Sequence, residues 1–155
     1  MAEQEKRLGI IVQSGAANRI CCVVVYSAAA LASGYKVVLH LVNEGLVAFR
    51  RDMAHKIWAD ERPEAWSLYP QGYLPHVQTF LKNLQGMIKG GQFKDWSLFL
   101  RELKDQYKDR LKIYACPIAA AAYGIRKEDL LDVVDGIAGA ETFLEETYGG
   151  TVMVF

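Results

Sequence analysis

The sequence predicts an α/β fold: one domain built as a three-layer sandwich, with a parallel or mostly parallel sheet and helices on both faces. Three observations predict it. Short apolar runs recur along the chain and are hydrophobic throughout rather than alternating, as in strands covered on both sides. Longer amphipathic runs separate them, which is the βα alternation of a parallel sheet. Finally, 155 residues of which 52% are hydrophobic suffice for one domain with a substantial core and fall short of two.

A polar tail over residues 1–7 leads into the first strand, Leu8–Val12. Gln13-Ser14-Gly15 is the turn, with Ser14 the expected N-cap of a helix over 16–33 that ends at Gly34 as its C′ residue. A second strand spans 35–42. Asn43-Glu44-Gly45 then turns into a short helix over 46–51. Between Trp58 and Pro75 the periodicity is lost; three of the four prolines, two tryptophans and two tyrosines fall in this stretch. Too apolar for a disordered linker, it reads as an aromatic loop insertion, either a lid or, preferably, a patch against another subunit.

Leu74, Val77, Phe80, Leu81, Leu84, Met87 and Ile88 recur at helical spacing until Gly90-Gly91 interrupts them. Trp96, Phe99, Leu100, Leu103 and Tyr107 mark another helix. The strand Leu111–Ala115 runs into Cys116-Pro117 and a small-residue helix that Gly124 ends. Further helices are expected over 127–134, with Glu128 and Asp129 in its first turn, and over 140–147. The last strand spans 151–155, making four strands in all. No internal repeat or low-complexity tract interrupts this order.

Eighteen basic and eighteen acidic residues leave no net charge. Such a chain lacks the electrostatic footprint of a nucleic-acid binder and is poorly protected against self-association, so a homo-oligomer is expected. Three cysteines do not make a disulfide framework, and Cys21 and Cys22 point about 100° apart on a helix. The apolar run 20–32 is shorter than a membrane span, and no signal-peptide pattern opens the sequence. A reducing cytoplasm, with no membrane partner, is the expected setting.

Cys116 is the candidate reactive group. Proline at the first helical position makes Cys116 the N-cap, facing unpaired backbone N–H groups and the positive end of a helix dipole, which favours the thiolate. The alternative is a buried structural cysteine packing as a small apolar residue. Ligands of parallel sheets bind at the carboxyl ends of the strands, where Gln13-Ser14-Gly15, Asn43-Glu44-Gly45 and Cys116-Pro117 are expected to converge on a small pocket. Ser14, Asn43, Pro117 and Ile118 are its candidate substrate-binding residues.

Other chemistry is weaker. The run 13–19 has neither the glycine fingerprint of a dinucleotide turn nor a P-loop lysine, and reads as a plain strand-to-helix turn. His40, His55 and His76 are scattered, so no metal and no cofactor is expected. His40, inside an apolar strand, reads as a satisfied core histidine. Cys21 and Cys22 read as packing, with Cys21 a resolving thiol only if it lies near the turn. Tyr114 and Tyr123 either wall the pocket or pack beside the strand.

The segment Ile113-Tyr-Ala-Cys116-Pro-Ile-Ala-Ala-Ala-Ala-Tyr-Gly124-Ile-Arg-Lys-Glu-Asp-Leu130-Leu resembles the signature of the DsrE/DsrF-like proteins, the group that includes sulfur-relay subunits and shares the YchN-like fold. The opening strand and helix, the Asn43-Glu44-Gly45 turn and the ending Gly136-Ile-Ala-Gly139-Ala-Glu-Thr-Phe-Leu are similar too, so the resemblance spans most of the chain. It implies a single DsrE/DsrF-like domain over 1–155, with Cys116 carrying sulfane sulfur between small sulfur compounds or carrier proteins, in trimers or hexamers. Many relatives have serine three residues after the cysteine; here that place is Ala119, which removes a hydroxyl able to steady a persulfide.

The implied reaction is attack of the Cys116 thiolate on the outer sulfur of a persulfide, thiosulfate or polythionate. Cys–S–SH or Cys–S–SO₃⁻ forms, the start of the following helix holds the added charge, and an acceptor thiol takes the sulfur. Asn43 and the backbone near Ser14 orient the donor. Two rivals stand beside this sulfurtransferase: a non-catalytic subunit that binds a ligand or serves assembly, and a thiol protein that reduces peroxide.

Overall fold

The computed structural model describes residues 4–59 and 70–155. Five strands form one sheet: β1 (Arg7–Val12), β2 (Lys36–Leu41), β3 (Leu111–Ala115), β4 (Gly136–Ile137) and β5 (Thr151–Val154). They lie in the order β4-β3-β2-β1-β5, and every neighbouring pair is parallel. Seven helices accompany them among the described residues: α1 (Ala17–Ala32), α2 (Asn43–Ala48), α3 (Arg51–Ala54), α4 (Leu74–Lys89), α5 (Trp96–Tyr107), α6 (Pro117–Ala122) and α7 (Ala140–Thr147). This is the α/β sandwich the sequence predicts.

Topology decides which helix covers which face. The connections from β1 to β2, β3 and β4 step outward in one direction, so right-handed crossovers put their helices on the same side. The β4-to-β5 connection runs back across the sheet and puts α7 on the other. The register sets Ile10 beside Leu39 and Ile113, and Val12 beside Leu41 and Ala115. These residues join Ile20, Val23, Val24 and Leu31 of α1, Leu81 of α4 and Leu100 of α5 in one buried cluster. On the opposite face His40 stacks on Phe143 of α7, with ring centroids 5.4 Å apart. Gly9 permits this close approach, since a Cβ there would stand 2.7 Å from the Phe143 ring and from the Thr147 methyl.

Several local expectations are corrected. Ser14 is not the N-cap of α1: Ala16 holds that place without a side-chain cap, and Ser14 Oγ accepts a hydrogen bond from Ala16 N–H instead (3.1 Å). The turn Asn43-Glu44-Gly45 is itself the first turn of α2, which stops at Ala48, and α3 follows as a separate short helix. The helix over 127–134 is absent; only a 3-10 turn, Lys127–Asp129, forms. Asp129 accepts from Arg126 N–H (2.9 Å), Leu130 bridges antiparallel to Arg50, and Leu131 N–H donates to Phe49 O (2.9 Å). Extended pairing with a distant segment takes the backbone groups a helix needs.

The described residues form five strands rather than the expected four, β4 being a two-residue pairing of Gly136 and Ile137 with Tyr114 and Ala115. Trp58, the first residue of the expected loop insertion, lies in this chain's own core rather than in a lid or an intersubunit patch: it is fully buried and donates through Nε1 to Ala17 O (3.1 Å). At the other end of that stretch, a 3-10 turn, Gln71–Tyr73, leads directly into α4, with Pro75 in its first turn. Residues 60–69, the middle of the expected loop insertion, lie outside the described residues.

Candidate functional site

The carboxyl edge of the sheet is assembled by backbone contacts that glycine makes possible. Gly45 N–H donates to Gln13 O (3.0 Å), and a Cβ on Gly45 would run into Val12 O. Gly15 lies equally close to the next segment, its would-be Cβ 2.7 Å from Glu44 O. The segments Gln13-Ser14-Gly15 and Asn43-Glu44-Gly45 are therefore packed backbone to backbone. Asn43 takes the left-handed conformation (φ 47°), one of the few non-glycine residues suited to it, and its side chain is exposed.

Cys116 follows one strand further along this edge. Its N–H donates to Leu41 O (2.9 Å), which prolongs the β2–β3 ladder by one residue. Pro117 then opens α6 with Cys116 as N-cap, as expected. Ala119 and Ala120 face the core, whereas Pro117 and Ile118 turn outward, Ile118 being 78% exposed. Cys116 itself is half-buried and packs against the rim of the core cluster. Gly124 stops α6 in the left-handed conformation (φ 64°). Ala119, where the resemblance expects serine, is buried at 7% exposure, so the lost hydroxyl would have stood on the inner face of α6.

The expected single pocket is divided. A cavity of about 880 Å³ lies at the ends of β1 and β5, lined by Gln13, Ser14, Asn18, Arg19 and Glu44 among others. Ser14 lines it; Asn43, Cys116, Pro117 and Ile118 do not. The strands do bring the three predicted segments to one edge, but Cys116 follows β3, two strands from β1, and does not line the cavity. Asn18 and Arg19 were missed as site residues, because nothing in the sequence shows that β5 adds beside β1 and completes the far wall.

The remaining candidates resolve by their partners. His40 is buried with Nε2 3.0 Å from Ala138 O, and burial lowers its pKa although that hydrogen bond pulls the other way. It is the satisfied core histidine the strand pattern implies. Tyr114 donates to Glu146 (2.7 Å); burial first, and the Glu146 carboxylate second, push its pKa up to about 12. It packs on the α7 side of the sheet, whereas Tyr123 is exposed. Burial, then the neighbouring Cys22, pushes the Cys21 thiol up, which makes it a poor thiolate. Among the described residues no three metal-ligating side chains come together. Asp135 is a structural group that sequence reading did not single out: its carboxylate accepts from Ile113 N–H (2.8 Å) and pairs with Lys104, pinning β3 to α5.

No family model and no curated protein matches the chain. Among solved structures it is similar to MTH1491, a protein of unknown function from Methanobacterium thermoautotrophicum, with a TM-score of 0.60 and 14% identity over 97% of this chain and 100% of that one. That likeness concerns the fold alone.

Proposed function

We propose that the protein is a sulfur carrier or sulfurtransferase of the DsrE/DsrF-like kind, with Cys116 as its sulfur-accepting residue. The observation that carries this reading is the position of the thiol: half-buried at the carboxyl edge of an all-parallel sheet, between a strand and Pro117. First-turn N–H groups of Ile118 and Ala119 have no intrahelical acceptor by position and can stabilise negative charge that develops beside Cys116.

The Cys116 thiolate attacks the outer sulfur of a persulfide donor. The new S–S bond forms as the donor S–S bond breaks, and the donor leaves as a thiolate; with thiosulfate the leaving group is sulfite. An acceptor thiolate then attacks the outer sulfur and regenerates the Cys116 thiolate, so no external oxidant or reductant is consumed. Small sulfur compounds or a carrier protein are the partners of this chemistry. A homo-oligomer, trimer or hexamer, is its assembly. Among the described residues no helix is long and apolar enough to cross a membrane.

Cyanide tests the reading directly, because it removes sulfane sulfur from a persulfide as thiocyanate and leaves the thiolate. Native protein incubated with polysulfide and desalted is expected to release about one thiocyanate per chain, and Cys116→Ala none. Equal release from both proteins, or none from either, contradicts it. The non-catalytic reading draws on a separate observation, that Cys116 does not line the 880 Å³ cavity. A ligand held there without any sulfur release would favour it.

A further inference from the structure

The two edges of the sheet are unequal. On one side it ends in β4, with only Gly136 and Ile137, and on the other in β5, with four residues, Thr151–Val154. Natural edge strands are blunted by charge, proline, a bulge or covering chain. β5 has no charged residue and no proline, and it pairs with β1 without a bulge. Among the described residues no strand pairs with its outer side.

Phe155 fixes which backbone groups of β5 are free. Its N–H donates to Ile11 O (3.0 Å), and its carbonyl accepts from Gln13 N–H (2.6 Å) and Ser14 N–H (3.1 Å), so both point inward. Direction alternates from residue to residue along a strand. Met153 and Thr151 therefore also point inward, while Val152 and Val154 turn their N–H and C=O groups outward. Their side chains stand on the α7 face, in register with Gly9 and Ile11, and are exposed.

Apolar surface borders this edge on both faces of the sheet. On one face Leu144 of α7 and Tyr148 just after it are exposed, on the flank opposite Glu146, which meets Tyr114 of β3. On the other face Tyr26 of α1 lies on Phe155, with ring centroids 5.5 Å apart, and is itself exposed. Weighting roughly 200 Å² per aromatic and 100 Å² per aliphatic side chain by exposure, these residues and the two valines leave about 400 Å² of apolar surface open. A standard interface of about 800 Å² per partner is a little over half apolar, so this rim is large enough for one.

We infer that a second copy of this chain covers the edge: its β5 pairs antiparallel with this one across a twofold axis through Met153, joining two five-stranded sheets into one. The valines set the register. Val152 of one copy stands opposite Val154 of the other, so the outward N–H and C=O groups meet in hydrogen-bonded pairs and the β-branched side chains meet on the α7 face. Met153 stands opposite itself, and no like charges face each other along the strands. A slip that moved the axis to Val152 would set Val154 against Gly150, whose N–H already donates to Thr147 O (2.9 Å). A strand that matches its own reverse suits an isologous contact. The pairing rests on the homo-oligomer proposed above and narrows it, since a twofold fits a hexamer of two trimers and not a lone trimer.

Cross-linking and sedimentation of the full chain test it. Opposed residues outside the hydrogen-bonded pairs stand about 4.5 Å apart at Cα, within disulfide range. On mild oxidation Met153→Cys is expected to give a dimer bridged between the two copies of position 153, and Val152→Cys no bridge to itself. Peptide mass locates the bridge and distinguishes it from any through Cys21, Cys22 or Cys116. Val154→Pro removes an outward N–H and none that faces β1. It is expected to halve the sedimenting mass of the native assembly, from hexamer to trimer, with circular dichroism verifying that it folds; if it does not, the bridge at position 153 decides. A native monomer, which leaves the edge to some other partner, or a lone trimer overturns the inference. An assembly that folded Val154→Pro leaves whole, or a self-bridge in Val152→Cys in place of Met153→Cys, overturns it too. A native dimer that Val154→Pro splits upholds the strand pairing and contradicts the trimer or hexamer, so the two fail separately.

Discussion

A methyl group at position 45 would meet the carbonyl of Val12, because the first turn of α2 lies directly against the end of β1. The colliding atom is backbone at the centre of the sheet and has little room to retreat. Gly45→Ala is therefore expected to cost about 3 kcal/mol, the upper end of ordinary overpacking, read as a fall in the urea midpoint. His40 makes the residue-scale case for charge. Burial holds its folded pKa below the ordinary value of about 6.5, so as pH falls below 6.5 the unfolded chain takes up the proton first. Stability tied to His40 is complete above 6.5, declines from there as pH falls, and stops declining once pH is below the depressed folded pKa. Urea unfolding at pH 7.5 and pH 5.0 is expected to show a smaller pH effect in His40→Gln than in the native protein; equal effects would remove His40 from the account.

At the scale of elements, what the sequence shows depends on how local the determinants are. Helices α4 and α5 were legible from their apolar spacing, and the β3–Cys116–Pro117 junction from a strand meeting a helix-starting proline, since each is decided within a dozen residues. The segment 127–134 reads as a helix and is not one, because Leu130 and Leu131 pair with Arg50 and Phe49, partners about eighty positions away that no periodicity reveals. Strand β4 has two residues, too few to show a pattern. The sequence puts the start of α2 after Gly45, normally a helix breaker, whereas that glycine lies inside the helix as its point of contact with β1. The site divides in the same way. Cys116 is visible from its neighbours, whereas the cavity exists only because β5 returns beside β1 and brings Phe155, whose carbonyl accepts from Ser14 N–H, to its wall.

Across the whole molecule, the two faces of the sheet are unequally covered. One carries α1, α4 and α5, while on the other the short α7 lies over β1 and β2. Beyond its reach Val152 and Val154 are 46% and 55% exposed, on α7 itself Leu144 is 62% exposed, and Tyr148, just after the helix, is 82% exposed. Apolar side chains gathered on an edge strand and the adjacent helix favour association, and a chain without net charge does little to oppose it. The proposed homo-oligomer is expected to use this face. Sedimentation should then give a trimer or hexamer for the native protein and smaller species for the folded double variant Leu144→Lys with Val152→Lys; a native monomer would refute the assembly.

The central claim concerns one sulfur atom on one residue. Intact-mass measurement after incubation with polysulfide, thiosulfate or tetrathionate, followed by desalting, tests it most directly. The account predicts that native protein gains a sulfur or thiosulfonate adduct that dithiothreitol removes, and that Cys116→Ala, with Cys21 and Cys22 still present, gains none. Native protein that stays unmodified with every donor, or a Cys116→Ala variant modified to the same extent, would contradict it.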